Sequence, residues 1–198
     1  MKLARKLAIT GALVALTGVE SAFAELTVTT RTRHYTVHGS NINSVVKAMK
    51  RSGPYSENEG KRALGLADYR FTWSLRTKRT PSGCAVSSLR ARLSIFYILP
   101  RLTARSRLSK RDRSRWNSIY RMIDVHERVH GRFYRQFANS TYRAILKLKP
   151  QPNCSQLQRR AKAIEDRMVK LDRRRNRAFD RAQYRPFNRR LKRLRGQR

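Results

Sequence analysis

Ile119-Tyr120-Arg121-Met122-Ile123-Asp124-Val125-His126-Glu127-Arg128-Val129-His130 is the stretch on which both the fold and the chemistry of this chain turn. Ile119, Ile123, His126 and His130 step by four, three and four, the spacing that keeps side chains on one face of an α-helix. Trp116 and Tyr120, then Phe133 and Phe137, extend the same stripe, so a helix is expected from about Lys110 to Lys149. Both histidines therefore face the protein, and two imidazoles bracketing a carboxylate are hard to bury without a ligand. His126-Glu127-x-x-His130 spells H-E-x-x-H. On a helix the two imidazoles can reach one metal ion, and Glu127 is placed to take a proton from water held by that ion. With four histidines and six glutamates in the chain, chance placement would give this pattern about 0.002 times. That weighs against the alternative of an exposed polar helix face. Glu127 is the expected catalytic residue, His126 and His130 the expected ligands of one zinc ion.

Upstream the period changes from helical to alternating. Residues 26–38 are rich in β-branched types and read as a strand; Asn41 or Asn43 can cap a short helix running to about Lys50. Tyr69, Phe71, Trp73 and Leu75 repeat at period two with polar residues between, a half-buried strand. After a turn over Lys78 to Gly83, Leu89, Ala91, Leu93, Ile95, Tyr97 and Leu99 give a longer alternation, which Pro100 is expected to end. Downstream, Pro150-Gln151-Pro152 breaks the helix, and a second long helix follows from Ser155 with Leu157, Ala161, Ile164, Met168 and Leu171 on one face. Pro186 is expected to end or kink it. The fold class is α+β: a small antiparallel sheet packed against two long helices, one carrying H-E-x-x-H.

The first 24 residues read as a signal peptide. Lys2, Arg5 and Lys6 precede an apolar run from Leu7 to Val19, and Ala22-Phe23-Ala24 supplies a small-residue cleavage site. The run is shorter than the roughly 20 residues a spanning helix needs, and no other segment could cross a bilayer. The mature chain is expected to be exported, whether periplasmic or secreted. In an oxidising compartment Cys84 and Cys154 are expected to pair, closing about 70 residues, with two free buried thiols as the alternative.

Net charge is +35 for the whole chain, and the 24-residue leader contributes only +2 of it. Arginine's planar fork suits phosphate and carboxylate, so polyanionic partners fit. Export points away from nucleic acid and towards anionic envelope polymers, lipid headgroups or acidic proteins. Residues 173–198 hold twelve basic residues and one acid, Asp180, more often a solvated face or tail than a binding arm.

The order of these features resembles the bacterial family called domain of unknown function 922, regarded as predicted secreted zinc-dependent proteases. Tyr35-x-Val37-x-Gly39, Gly53-Pro54, Trp73, Cys84, Leu99-Pro100, Trp116, the H-E-x-x-H pentad and Cys154 fall in the family's order over roughly residues 35–188. With the signal peptide at 1–24, the expected organisation is a zincin-like protease domain at 25–188, as the resemblance implies, and a basic tail at 189–198. The family pattern ends in Tyr-Asp-x-x-Thr-x-His-Gly, whose His is the natural third metal ligand. Here the stretch is Phe179-Asp180-Arg181-Ala182-Gln183-Tyr184-Arg185-Pro186, with Arg185 where that His belongs. Guanidinium cannot ligate zinc.

A zinc enzyme here must then take its third protein ligand from a carboxylate or do without. Asp180 is the first candidate and Glu165 the second, while Asp180 could instead orient an imidazole. His34 and His38 share one face of the first strand; they could complete a site, but a partly exposed strand is the preferred explanation. The leading expectation is a metallopeptidase acting on a peptide or protein substrate. The rival is a non-catalytic envelope protein on a decayed peptidase scaffold, binding anionic polymers or membrane through its arginines. In its sharpest form Arg185 reaches Glu127 and fills the space of the metal.

Overall fold

The computed structural model describes residues 25–57 and 60–196. The expected signal peptide lies outside the described residues. In chain order the elements are β1 (Glu25–Val37), α1 (Ile42–Ser52), β2 (Tyr55–Ser56), β3 (Lys61–Arg62), β4 (Leu66–Thr80), β5 (Gly83–Leu102), α2 (Lys110–Leu146) and α3 (Cys154–Leu194). This is an α+β arrangement, with a three-stranded sheet in the order β1-β5-β4 and a small β2–β3 ribbon.

The long alternation places β5 at the centre. Leu89, Ala91, Leu93, Ile95, Tyr97 and Leu99 are buried beneath the helices, whereas Arg90 and Arg92 on the other face are exposed. β4 and β5 form an antiparallel hairpin through Pro81-Ser82. β1 corrects the expectation of an antiparallel sheet: it pairs parallel to β5, from Glu25↔Arg90 to Val37↔Leu102. The chain between them includes α1 and β4, long enough to bring β5 back in the same direction. Alternation specifies which face a residue takes and says nothing about strand direction. Pro100 does not end β5, which continues to Leu102. Pairing with β4 stops at Ile98, so beyond it β5 has one open edge, where a residue without an N–H is tolerated.

The inward stripe of α2 packs as its spacing requires. Trp116, Ile119, Ile123, Tyr134 and Phe137 are buried in the main core with Leu93, Ile95 and Tyr97. Truncating Ile119 or Ile123 to Ala would cost about 2–5 kcal/mol. Ser109 caps α2 by accepting from the Asp112 N–H at 3.1 Å, and Asp112 Oδ2 accepts from the Ile42 N–H at 3.3 Å, tying the start of α1 to that of α2. Cys84 and Cys154 are disulfide-bonded with Cα atoms 5.1 Å apart. The bridge pins the start of β5 to the start of α3.

Pro186 does not end α3, which runs on to Leu194. The proline is exposed, so the carbonyl it leaves without a partner faces water. Beyond it Phe187, Leu191 and Leu194 pack on the core, and Arg195 Nε donates to Asn43 Oδ1 at 2.9 Å. Residues 189–194, expected in a basic tail, thus continue the helix. Among the described residues no helix is long and apolar enough to cross a membrane.

Candidate metal centre

Close approach of α2 to the sheet sets the depth of the site. A Cβ on Gly131, next to His130, would overlap the Tyr97 hydroxyl, so only glycine lets the helix sit this low on β5. On the other side a Cβ at Gly65 would lie 2.5 Å from Ile123 Cγ2 and 3.0 Å from Glu127 Oε1. The entry to β4 therefore runs hard against the catalytic candidate. Two tyrosines hold it there: Tyr35 donates to the Leu64 carbonyl at 2.7 Å and Tyr134 to the Ala67 carbonyl at 3.0 Å. The Ala67 backbone beside Glu127 acts to favour the charged form of its carboxyl.

Three ligating atoms converge beside Glu127. His126 Nε2 and His130 Nε2 are 3.3 Å apart, and Asp180 Oδ1 lies 3.3 Å from the first and 2.9 Å from the second. Among the described residues this trio is the group of His, Cys, Asp and Glu side chains arranged to hold a metal ion. Tetrahedral zinc, with bonds of about 2.0–2.2 Å, places its ligand atoms about 3.2–3.6 Å apart. Two edges of the triangle fall in that range and the third is slightly shorter. Two imidazoles and one carboxylate are also a donor set that zinc accepts.

Hydrogen bonding fixes the tautomer of His130. Asn176 Nδ2 donates to the Asp172 carbonyl at 2.8 Å, which can only accept, so Asn176 Oδ1 is the atom facing His130 Nδ1 at 2.5 Å. An amide oxygen cannot donate, so Nδ1 carries the proton. In the neutral ring, Nε2 then presents a lone pair towards Asp180 and His126. His126 is held by rings instead, with its centroid 4.8 Å from Phe179 and 5.7 Å from Phe187.

The charges are strongly coupled. Burial pushes the Glu127 carboxyl up to about 7, against the opposing pull of His126 and His130. Burial also acts to raise Asp180, but the two imidazoles outweigh it and hold that carboxyl well below the usual range. For His130 burial acts downward, and bonds to Asp180 and Asn176 with the charges of Asp180 and Glu127 turn the net shift upward. Asp172, next in line behind Asn176, is pushed up to about 6 by burial.

The trio opens on a cleft of about 520 Å3 between α3, α2 and the segment 61–67. Leu64, Leu66, Ile123, Tyr134 and Phe187 give it apolar walls, and Lys50 and Arg62 add positive charge. The remaining candidates lie elsewhere. Glu165 pairs with Lys162 at 2.9 Å on its own helix. His34 meets Arg101 at 2.9 Å, and His38 meets Thr103 at 3.2 Å. Arg185 is exposed and does not line the cleft, so it does not fill the metal's space. Asn176, Asp172 and Tyr134 were not singled out by sequence, and Tyr35 was read as part of the first strand and its motif, without a role at the site. The signal for the first two was their spacing: Asp172, Asn176 and Asp180 step by four along one face of α3.

The model of a bacterial protein family of unknown function, DUF922, matches residues 32–185, and the chain belongs to that family. The match takes in His126, Glu127, His130 and Asp180. No curated protein and no solved structure matches the chain.

Proposed function

We propose that this protein is an exported zinc-dependent metallopeptidase. One observation carries the reading. With Nδ1 of His130 committed as a donor, its Nε2 lone pair faces the Asp180 carboxylate at 2.9 Å and His126 Nε2 lies 3.3 Å from both, an arrangement that repels unless a metal ion or a proton on an imidazole Nε2 lies among them. A proton could serve, and so could a metal ion. A buried carboxylate immediately beside the trio is what metal-assisted hydrolysis needs and what a proton-bridged pair does not.

In this reading His126, His130 and Asp180 hold the ion. Zinc, when bound, polarises a scissile carbonyl and makes water more acidic. Glu127 takes a proton from the attacking water and returns it to the leaving amine, for which a pKa near neutrality is suited. Glu127 lines the cleft beside the trio. The cleft of about 520 Å3 beside these groups, with its apolar walls, is where the substrate would lie. The test is hydrolysis of an unstructured protein such as casein. Glu127→Gln should keep zinc yet lose about 10²–10⁴ in rate, because an amide neither accepts nor returns the proton. Unchanged hydrolysis by that variant would overturn the assignment.

A second reading, binding of an anionic envelope polymer, has one observation in its favour. The outer face of the sheet exposes Arg70, Arg76, Arg90 and Arg92, none of them ion-paired among the described residues. It predicts binding of such a polymer that survives removal of metal and is lost on Arg90→Glu with Arg92→Glu.

A further inference from the structure

Both ring nitrogens of His130 are addressed from the same helix. Asn176 Oδ1 meets Nδ1 at 2.5 Å and Asp180 Oδ1 meets Nε2 at 2.9 Å. The two residues are four apart in α3, one helical turn, so their side chains stack on the face that looks at α2. That spacing is matched to an imidazole presented edge-on. The ring of His130 is 7 % exposed and sits between Tyr134 and Phe179, with little room to turn.

Among the described residues, nothing comparable meets Nδ1 of His126. Its Nε2 is the nitrogen that meets the trio, and its ring is placed by the aromatic faces of Phe179 and Phe187. Asp180 thus meets the Nε2 of both imidazoles, but hydrogen bonding from α3 reaches Nδ1 of His130 alone among the described residues. The amide of Asn176 cannot turn over without facing its oxygen to the Asp172 carbonyl, which it contacts at 2.8 Å through Nδ2. Nor can it release His130 without stranding a half-buried oxygen.

We propose that Asn176 is a positioning residue: it locks His130 in the tautomer with the proton on Nδ1, leaving Nε2 permanently available to a metal ion held with His126 and Asp180. The inference rests on the metal-centre reading for its consequence, but the lock itself exists in the metal-free protein. An isolated neutral imidazole in water prefers to carry its proton on Nε2, the nitrogen that would have to bind metal. Asn176 reverses that preference before any ion arrives. As a neutral acceptor it does so without drawing the proton off the ring, and without adding a further negative charge to a face that already carries Asp172 and Asp180.

The experiment compares wild type with Asn176→Leu, which removes the acceptor at similar volume, and Asn176→Asp, which keeps an acceptor oxygen. The first readout is the 15N NMR pattern of His130 in metal-free protein at about pH 9, where imidazoles are neutral. Wild type and Asn176→Asp should show a protonated Nδ1 and a bare Nε2, and Asn176→Leu should shift towards protonated Nε2. The second readout is zinc affinity by chelator competition. Asn176→Leu should weaken it by about 10–100-fold, the range found when a residue supporting a ligand is removed, and Asn176→Asp should recover most of the loss. An Asn176→Leu spectrum identical to wild type overturns the lock. So does an equal loss of zinc affinity in both variants, which would mark a general structural role. If wild type binds no zinc while its 15N pattern is as expected, the metal reading fails and the lock stands.

Discussion

Asp180 Oδ1 stands 2.9 Å from His130 Nε2, joining the last helix to the H-E-x-x-H helix at the atoms that matter for a metal. Contact at this distance makes Asp180 a ligand candidate on geometry and not on likeness alone. Asp180→Ala should weaken zinc binding more than about 100-fold, beyond the loss expected for a residue that merely supports a ligand. Chelator competition measures it, and an effect below tenfold would return Asp180 to a supporting role.

The exposure of Arg185 gives the complementary expectation. Five residues beyond Asp180 on a continuous helix, its side chain points away from the cleft. Arg185→His should therefore leave zinc affinity within about twofold of wild type, an effect of under half a kcal/mol. Tighter binding in this variant, alone or with Pro186→Gly, would mean that α3 can present position 185 to the trio.

What the sequence disclosed divides along physical lines. The helix period put His126 and His130 on the stripe of Ile119 and Ile123; His130 is buried and His126 half-buried. The alternations of Tyr69 to Leu75 and Leu89 to Leu99 were equally legible, because each is a local pattern with one buried face. Strand direction was not, since β1 meets β5 across a long connection that leaves no mark in either strand. Pro186 misled because its cost is local, whereas Phe187, Leu191 and Leu194 hold the helix beyond it by burial. The partnership of Asn176 with His130 depends on how α3 is rotated against α2. An isolated helix pattern rich in arginine does not encode that rotation.

Joining Cys84 to Cys154 closes a loop of 70 residues. Loop-closure entropy for that length gives about 4 kcal/mol of stabilisation. Here the backbone also pairs beside the bridge, with the Cys84 N–H to the Gln151 carbonyl at 2.7 Å and the Gln151 N–H to the Cys84 carbonyl at 2.9 Å. Denaturant unfolding of the Cys84→Ala/Cys154→Ala protein should show a loss of a few kcal/mol, with the folded state keeping its helix content. A loss under 1 kcal/mol would show that the backbone pairing suffices.

Glu127 makes the metal-free protein sensitive to pH. Its carboxyl is raised from 4.5 to about 7 on folding, so the folded state holds its proton more tightly than the unfolded state does. The associated stability is fully present below about pH 4.5 and is lost as pH rises through 7. His130, also raised, loses stability in the same direction, and Asp180, lowered, contributes from above its ordinary range without change between pH 5 and 8. In the presence of chelator, Glu127→Gln should gain on wild type by on the order of 3 kcal/mol between pH 5 and pH 8. Thermal or urea unfolding at the two pH values checks this. Parallel pH dependence in the two proteins would mean that Glu127 is ionised and already compensated in the folded state.

The most direct measurement is the zinc content of the purified mature protein after exhaustive dialysis, by elemental analysis, beside His126→Ala and His130→Ala. The account predicts one zinc per chain in the wild type, removable by chelator and restored on readdition, and well under one in each variant. A wild-type protein that is folded and disulfide-bonded yet binds no zinc on readdition would contradict it, and the converging imidazoles and carboxylate would then be held together by a proton.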